Sequence, residues 1–366
     1  MKTAFLFGSL NRGGLETLML DVCQNLKQSD FEAIGIYRKG GVLENDFIHS
    51  GVPFTKVSTG KNLFNYLRRL RKEIKNSKVT IIHAQQPIDA LYAKLATIGL
   101  NVKVVLTFHG FDFEERSKLV HFIIKRTDRN IFVSQYQQDY YTRKFQLKPE
   151  KQIVVYNGIN FNKFDNPENL NQPNEIRNEL KIKPSTCLLG MVGNFNPGRD
   201  QMTVCKFLNK LKETDADFHF LFVGKRVESC AERYDDCVRY CKENGLEWNV
   251  SFLGVRNDVP QILSQLDAFI YSTEHDTFGI AVVEAIATGI PVFVNDWKVM
   301  REITEDGKLA KLYKTKDFNE LLEKFMVFLH NKEKYQKQAI ENARKVREKY
   351  SIEKYIENLT SLYQSL

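Results

Sequence analysis

Asp276-Thr-Phe-Gly279-Ile-Ala-Val-Val-Glu284-Ala-Ile-Ala-Thr-Gly289-Ile-Pro291-Val-Phe-Val-Asn295, preceded by Ala268-Phe-Ile-Tyr271, reads as strand, loop, helix and strand. Asp267 through Tyr271 has the length and apolarity of a buried strand. Asp276 stands where a helix N-cap would, Ile280 to Thr288 is apolar at helical length, and Gly289-Ile-Pro291 stops the helix before Val292-Phe-Val294. One βαβ crossover is therefore written here. Glu284 is unusual, a carboxylate expected two turns into an otherwise apolar helix. At about 1.5 Å per residue, the eight steps from Asp276 put the two acids at most ~12 Å apart. That spacing suits the two ends of a nucleotide-diphospho-sugar, with the Phe278 and Gly279 amides at the helix N-terminus facing the diphosphate. The plainer alternative is a capped helix carrying a surface Glu.

A chain of 366 residues exceeds the size at which one core keeps growing, so two domains are expected. The 53 basic and 45 acidic side chains leave a formal charge of +8, which favours anionic partners without choosing among nucleic acid, lipid and nucleotide. Six cysteines without a Cys-x-x-Cys pair indicate neither a zinc site nor a disulfide framework. Cys237 and Cys241 share a helical face, as packing residues commonly do. The apolar start, Met1 to Gly8, is too short for a signal peptide, and no run of 18 apolar residues occurs. The expectation is a cytoplasmic protein, soluble or peripherally attached.

Working back to the N-terminus, Lys2 to Phe7 reads as a strand and Gly8 to Gly14 as a glycine-bearing loop feeding a helix. The loop lacks Gly-x-Gly-x-x-Gly and Gly-Lys-Ser/Thr, so neither a nicotinamide fingerprint nor a P-loop is supported. Further strands are expected over 33–37, 54–57, 79–83, 102–108, 130–133 and 152–155, the pattern of a parallel sheet covered on both faces. His83 and His109 fall at the carboxyl ends of two of them, where ligands bind in open α/β sheets. Leu63, Leu67, Leu70 and Ile74 form one helical stripe. Its opposite face carries Arg68, Arg69, Arg71, Lys72, Lys75 and Lys78, and Arg116, Lys118, Lys125 and Arg126 could extend it. Such a face can rest on anionic headgroups or simply be solvated.

Asn160 to Ser185, rich in Asn and Pro, reads as a linker. A second βα series begins at Cys187, with strands expected over 218–223, 250–253, 268–271 and 292–294. Helices from Asp317 onward break near Tyr350-Ser351.

In this order and spacing, several motifs together resemble the retaining glycosyltransferases of family 4, glycosyl transferases group 1. They are Gly13-Gly14-Leu-Glu16, Thr107-Phe-His109, Tyr156-Asn-Gly-Ile159, Gly193-Asn-Phe-Asn-Pro-Gly-Arg199-Asp, Phe252-Leu-Gly254-Val255 and the Asp276/Glu284 pair. The resemblance implies an α/β GT-B fold, two Rossmann-like doubly wound parallel-sheet domains facing each other across a cleft, with the C-terminal helix crossing back to the first. The expected boundaries are 1–165 for the acceptor-side domain, 166–185 for the linker, 186–348 for the nucleotide-sugar domain and 349–366 for the final helix.

The resemblance also implies roles. Glu284 would hold the ribose hydroxyls as an ionised acceptor. Asp276, one methylene shorter than the usual Glu, would face the donor sugar, and Arg199 would clamp the diphosphate. Asn194 replaces a cation usual in the family, with Lys225 or Arg226 as candidate substitutes. Gly254, Val255 and Arg256 match the base-seating region. Gly13, Gly14, Phe278 and Gly279 would offer backbone to the donor, and His109 would meet sugar or acceptor hydroxyls.

The implied reaction moves a hexose from a nucleotide-diphosphate sugar, expected to be a UDP-sugar, to a glycan or lipid-linked acceptor in bacterial surface polysaccharide synthesis, without cofactor or metal. Nucleic acid is not an expected partner. Contact with the inner face of the plasma membrane would run through Arg68, Arg69, Arg71 and Lys72. The alternatives are a nucleotide-sugar epimerase, a phosphorylase-like enzyme, or a catalytically silent binding homologue.

Overall fold

Alternation along the first strand already shows how the first unit is layered. In β1 (Lys2–Ser9), Ala4 and Leu6 join one buried cluster while Phe5 and Phe7 join another, as a period of two demands of a strand covered on both faces. The computed structural model describes residues 1–26, 31–60, 62–111, 117–165 and 175–366, Ser117 by its backbone alone. The remaining first-unit strands are β2 (Glu32–Lys39), β3 (Phe54–Lys56), β4 (Ile81–Ala84), β5 (Lys103–Phe108), β6 (Arg129–Phe132) and β7 (Gln152–Val154). They are parallel, in the order β3-β2-β1-β4-β5-β6-β7. Order reverses between β1 and β4. The Gly14–Asn25 helix after β1 packs into one cluster, and the Pro87–Ala96 helix after β4 packs into the other.

The second sheet holds β8 (Cys187–Val192), β9 (Phe218–Val223), β10 (Val250–Gly254), β11 (Ala268–Tyr271), β12 (Val292–Asn295) and β13 (Lys311–Tyr313). It is also parallel, in the order β10-β9-β8-β11-β12-β13, with its reversal between β8 and β11. β13 is an addition to the expected strands. The chain divides into a unit of Met1–Asn160 with Tyr350–Leu366 and a unit of Phe161–Lys349.

Ser351 caps the last helix, its hydroxyl accepting from the Lys354 amide at 3.1 Å. That helix, Ile352–Gln364, buries Ile352, Tyr355, Ile356, Leu359, Leu362 and Tyr363 in the first unit's core. Each such side chain contributes on the order of 1.5–3 kcal/mol. His83, wholly buried, ties the helix to the sheet: Nδ1 lies 2.5 Å from Tyr363 Oη and Nε2 2.6 Å from Thr107 Oγ1. Burial pulls its pKa down to about 3, so it is a neutral structural bridge.

Residues 166–174 of the expected linker lie outside the described residues, as does Arg116 of the basic surface. The linker's later part is not irregular throughout. Glu175–Glu179 is helical, and its Arg177 pairs with Asp267 at 3.0 Å. Cys237 and Cys241 are buried on the Glu232–Glu243 helix, as packing residues.

Candidate active site

In the second unit the loops leaving β8 and β11 meet at the point where strand order reverses, the usual ligand crevice of an open α/β sheet. Their backbones are joined: the Asp200 amide donates to the Ser272 carbonyl at 3.1 Å and the Glu274 amide to the Gly198 carbonyl at 2.7 Å. Gly198, at φ 97°, supplies the left-handed turn this needs, and a Cβ there would strike the His275 ring at 2.7 Å.

The turn delivers Arg199 onto Asp276. Arg199 Nη1 lies 2.9 Å from Asp276 Oδ2, and the guanidinium sits 5.2 Å from the centroid of the Tyr271 ring. Tyr271 donates its hydroxyl to the same Oδ2 at 2.9 Å, while Asp276 Oδ1 accepts from the Thr277 amide at 2.7 Å and the Phe278 amide at 3.3 Å. A carboxylate offers about four acceptor positions, and here four donors of the protein fill them. Although burial alone would lower it, Asp276 and Tyr271 hold the Arg199 pKa above its ordinary value. Arg199 Nε is buried without a hydrogen-bond partner in the structure.

Several expectations change here. Asp276 is not the helix N-cap: the helix is Ile280–Ala287 and its N-cap is Gly279 at φ 85°. Residues 276–279 form a loop, so the helical spacing to Glu284 does not apply. Glu284 is the helix's fifth residue, a little over one turn in, and half-buried. The Phe278 amide already donates to Asp276, and the Phe278 ring is in the core at 1 % exposure. A Cβ at Gly279 would meet Met300 Cε at 2.7 Å, so both φ and space require glycine.

Asn194 is exposed, and its Oδ1 accepts from the Lys225 amide at 2.9 Å, linking the loops after β8 and β9. Of the two candidate substitute cations, Arg226 is forked onto Asp235 and also held by Glu228, whereas Lys225 has an exposed side chain. Arg256 is likewise engaged, by Glu179 and Asp258. Gly254 is left-handed at φ 65° with open space above it, and Val255 is 60 % exposed. Sequence reading missed Tyr271, whose place at the end of an apolar run hides its hydroxyl.

In the first unit, His109 follows β5 and lines a cavity of about 200 Å³ with Leu15, Gln85, Gln86 and Phe111. Its Nε2 lies 2.9 Å from Gln85 Oε1, and burial lowers its pKa to about 4, so the ring is neutral at physiological pH. Gly13 is the extended N-cap of the following helix; Gly14 opens that helix with nothing within 4 Å of an added Cβ.

On the Leu63–Asn76 helix, Arg68, Arg69 and Lys72 are exposed. Arg71 departs from the expected basic face, donating to the Ala96 and Ile98 carbonyls at 2.8 and 2.7 Å. The apolar stripe is Tyr66, Leu70 and Ile74, with Leu67 packed partly buried against the same core, whereas Leu63 is 50 % exposed. Among the described residues no helix is long and apolar enough to cross a membrane.

Two parallel doubly wound units, with side chains gathered at a strand-order reversal, define a protein of the GT-B class. Residues 12–163 match the family described as Glycosyltransferase Family 4 and residues 172–346 match Glycosyl transferases group 1. The chain belongs to glycosyltransferase family 4.

Among relatives, the Bacillus anthracis N-acetyl-alpha-D-glucosaminyl L-malate synthase is 23% identical over 350 residues, 87% of this chain and 88% of that protein. The Escherichia coli UDP-Gal:alpha-D-GlcNAc-diphosphoundecaprenol alpha-1,3-galactosyltransferase is 25% identical over 300 residues, 77% of this chain and 76% of that protein. The crystal structure of Anabaena HepE in complex with UDP superposes with a TM-score of 0.88 at 18% identity, covering 100% of both chains.

Proposed function

We propose that this glycosyltransferase moves a hexose from a UDP-sugar to a hydroxyl of a glycan or lipid-linked acceptor in bacterial surface polysaccharide synthesis, with retention and without a metal. The observation that carries the reading is Arg199, a guanidinium with a buried, unpartnered Nε at the second unit's switch point. Charge builds on the leaving diphosphate as the glycosidic bond breaks, and a fixed planar donor there lowers that barrier. Glu284 takes the ribose hydroxyls, Gly254 and Val255 offer an edge to the base, and His109 accepts from a sugar or acceptor hydroxyl. The galactosyltransferase relative and the UDP-bound neighbour support a UDP-sugar donor.

The test is calorimetry with UDP-, GDP- and ADP-sugars, then turnover with the donor that binds. Glu284→Ala and Arg199→Ala should each lower transfer at least a hundred-fold while the far-UV spectrum is kept. Wild-type turnover in either variant defeats the assignment. Anomeric retention is read from the product's proton coupling, and metal independence from undiminished turnover in chelator. Turnover of the donor alone to an epimer would favour the epimerase reading.

We further propose peripheral contact with the inner face of the plasma membrane through Arg68, Arg69 and Lys72, which surround an open hollow with Thr59, Gly60, Asn62 and Asn65. Leu63 and Phe64, 50% and 68% exposed, lie one turn away. Sedimentation with vesicles containing phosphatidylglycerol should carry the protein down, and Arg68→Gln with Lys72→Gln should release it. Arg71→Gln should not. Binding unaffected by the first pair removes the proposal.

A further inference from the structure

The second unit has a cavity on the edge of its sheet opposite the donor crevice. The segments that lead into β12 and β13 meet the first turns of the Lys332–Tyr350 helix around a hollow of about 160 Å³. It therefore lies at the amino ends of parallel strands, whereas the crevice lies at their carboxyl ends. Its floor is apolar. Ile290, Val292, Leu309, Ala310 and Ala339 line it and are each at most 9% exposed. Asn342, also buried in the lining, donates its amide to the Lys308 and Leu309 carbonyls at 3.3 and 3.0 Å, which fixes the approach to β13 against the helix.

One wall is aromatic. The Tyr335 ring is held by Phe293 and Phe328, at centroid separations of 6.4 and 5.5 Å, and Lys311 Nζ lies 5.3 Å from its centroid. Lys308, Lys334 and Lys311 all line the hollow and are exposed. Other exposed lysines of this unit pair with acids: Lys316 with Glu274 and Lys324 with Glu320, both at 2.7 Å, and Lys349 with Glu305 at 3.1 Å. Among the described residues, none of the cavity lysines is in an ion pair.

Like charges around one apolar hollow repel each other, and an anion seated among them relieves that repulsion. A phosphate monoester, carrying about −1.5 to −2 at neutral pH, balances these lysines better than a singly charged carboxylate does. Ammonium groups on flexible stems also suit phosphate as point charges. The apolar floor and the Tyr335 wall ask for more than inorganic phosphate. The volume has room for on the order of ten water-sized groups, enough for a phosphate with a short apolar or aromatic body.

We propose that this cavity is a second binding site, for a small organic phosphate whose charged end meets Lys308, Lys311 and Lys334 and whose apolar body rests on Tyr335 and the floor. The site stands apart from the transfer proposed above and does not depend on it.

Saturation-transfer NMR on the full chain tests it, with phenyl phosphate, benzoate and phenol as probes and saturating UDP to keep them from the donor crevice. Phenyl phosphate should receive saturation, and benzoate and phenol should receive clearly less. Lys308→Gln with Lys334→Gln should weaken the phenyl phosphate signal by roughly five-fold, with an unchanged thermal midpoint because both side chains are exposed. Ala339→Leu, which fills the floor, should weaken it as well. Lys72→Gln, in the first unit, should not. Dihexanoyl phosphatidic acid below its micellar concentration separates two sources of such a group: tighter binding than phenyl phosphate points to a lipid, weaker binding to a soluble metabolite, and both keep the site. No signal from phenyl phosphate, a wild-type signal in the double lysine variant, or benzoate or phenol binding as well as phenyl phosphate overturns the proposal.

Discussion

At the scale of a residue, Asp276 shows how one methylene can change an assignment. A Glu at this place could reach outward, but Asp276 is folded back onto Arg199, Tyr271 and two amides, which occupy all its lone pairs. In the donor site proposed above, its part would be to aim Arg199, and Tyr271 would share that work. Tyr271→Phe should therefore lower kcat/KM by roughly five-fold, the equivalent of about 1 kcal/mol for one lost hydrogen bond. Asp276→Asn, which loses the charge facing Arg199, should lower it further, with Asp276→Glu restoring part. Steady-state kinetics with the donor varied, beside unchanged thermal midpoints, separate this from a loss of fold. Little of the geometry was legible beforehand. The two acids could be paired by spacing, but the left-handed Gly279 that ends the loop and the hydroxyl of Tyr271 leave no trace in an apolar pattern.

At the scale of an element, strands were far more legible than sites, since long apolar runs bounded by polar turns carry their own signal. Phe218–Val223 is read directly from six consecutive residues of that kind, His219 apart. Lys311–Tyr313 escapes because three residues beginning with Lys have no periodicity to detect. The last helix was legible as amphipathic, but its bond to His83 was not. That bond has a pH consequence. Folded His83 has a pKa near 3 against an ordinary 6.5, so the unfolded chain takes up the proton first. The contribution is complete above pH 6.5 and is lost as pH falls toward 3, at up to about 1.4 kcal/mol per pH unit. Urea titrations at pH 6 and pH 5 should thus differ by about 1 kcal/mol more in the natural chain than in His83→Gln, where only the other histidines and the carboxylates respond. Equal differences would mean that His83 protonates without penalty.

At the scale of the molecule, the chain begins in one unit, builds the other, and comes back to finish the first. Two domains were expected from length alone, and the return followed from the family resemblance, but no periodicity says which core a final amphipathic helix will enter. Deleting residues 351–366 should expose the apolar surface that Ile352, Leu359 and Leu362 cover in the first unit while leaving the second unit's own core whole. Limited proteolysis of that truncation should leave a resistant fragment close to residues 161–349, and calorimetry should retain one cooperative transition. Digestion of both units at the same rate would show that the second depends on the first.

The same return path orders events at the ribosome. The first unit is translated first, yet a wall of its core is encoded last, so its nascent form waits with apolar surface uncovered while the second unit is made and can fold. A chaperone that shields early chains should therefore stay bound to this one until Tyr363 emerges, and stalling translation just before Ser351 should leave the later-made unit folded and the earlier-made one incomplete.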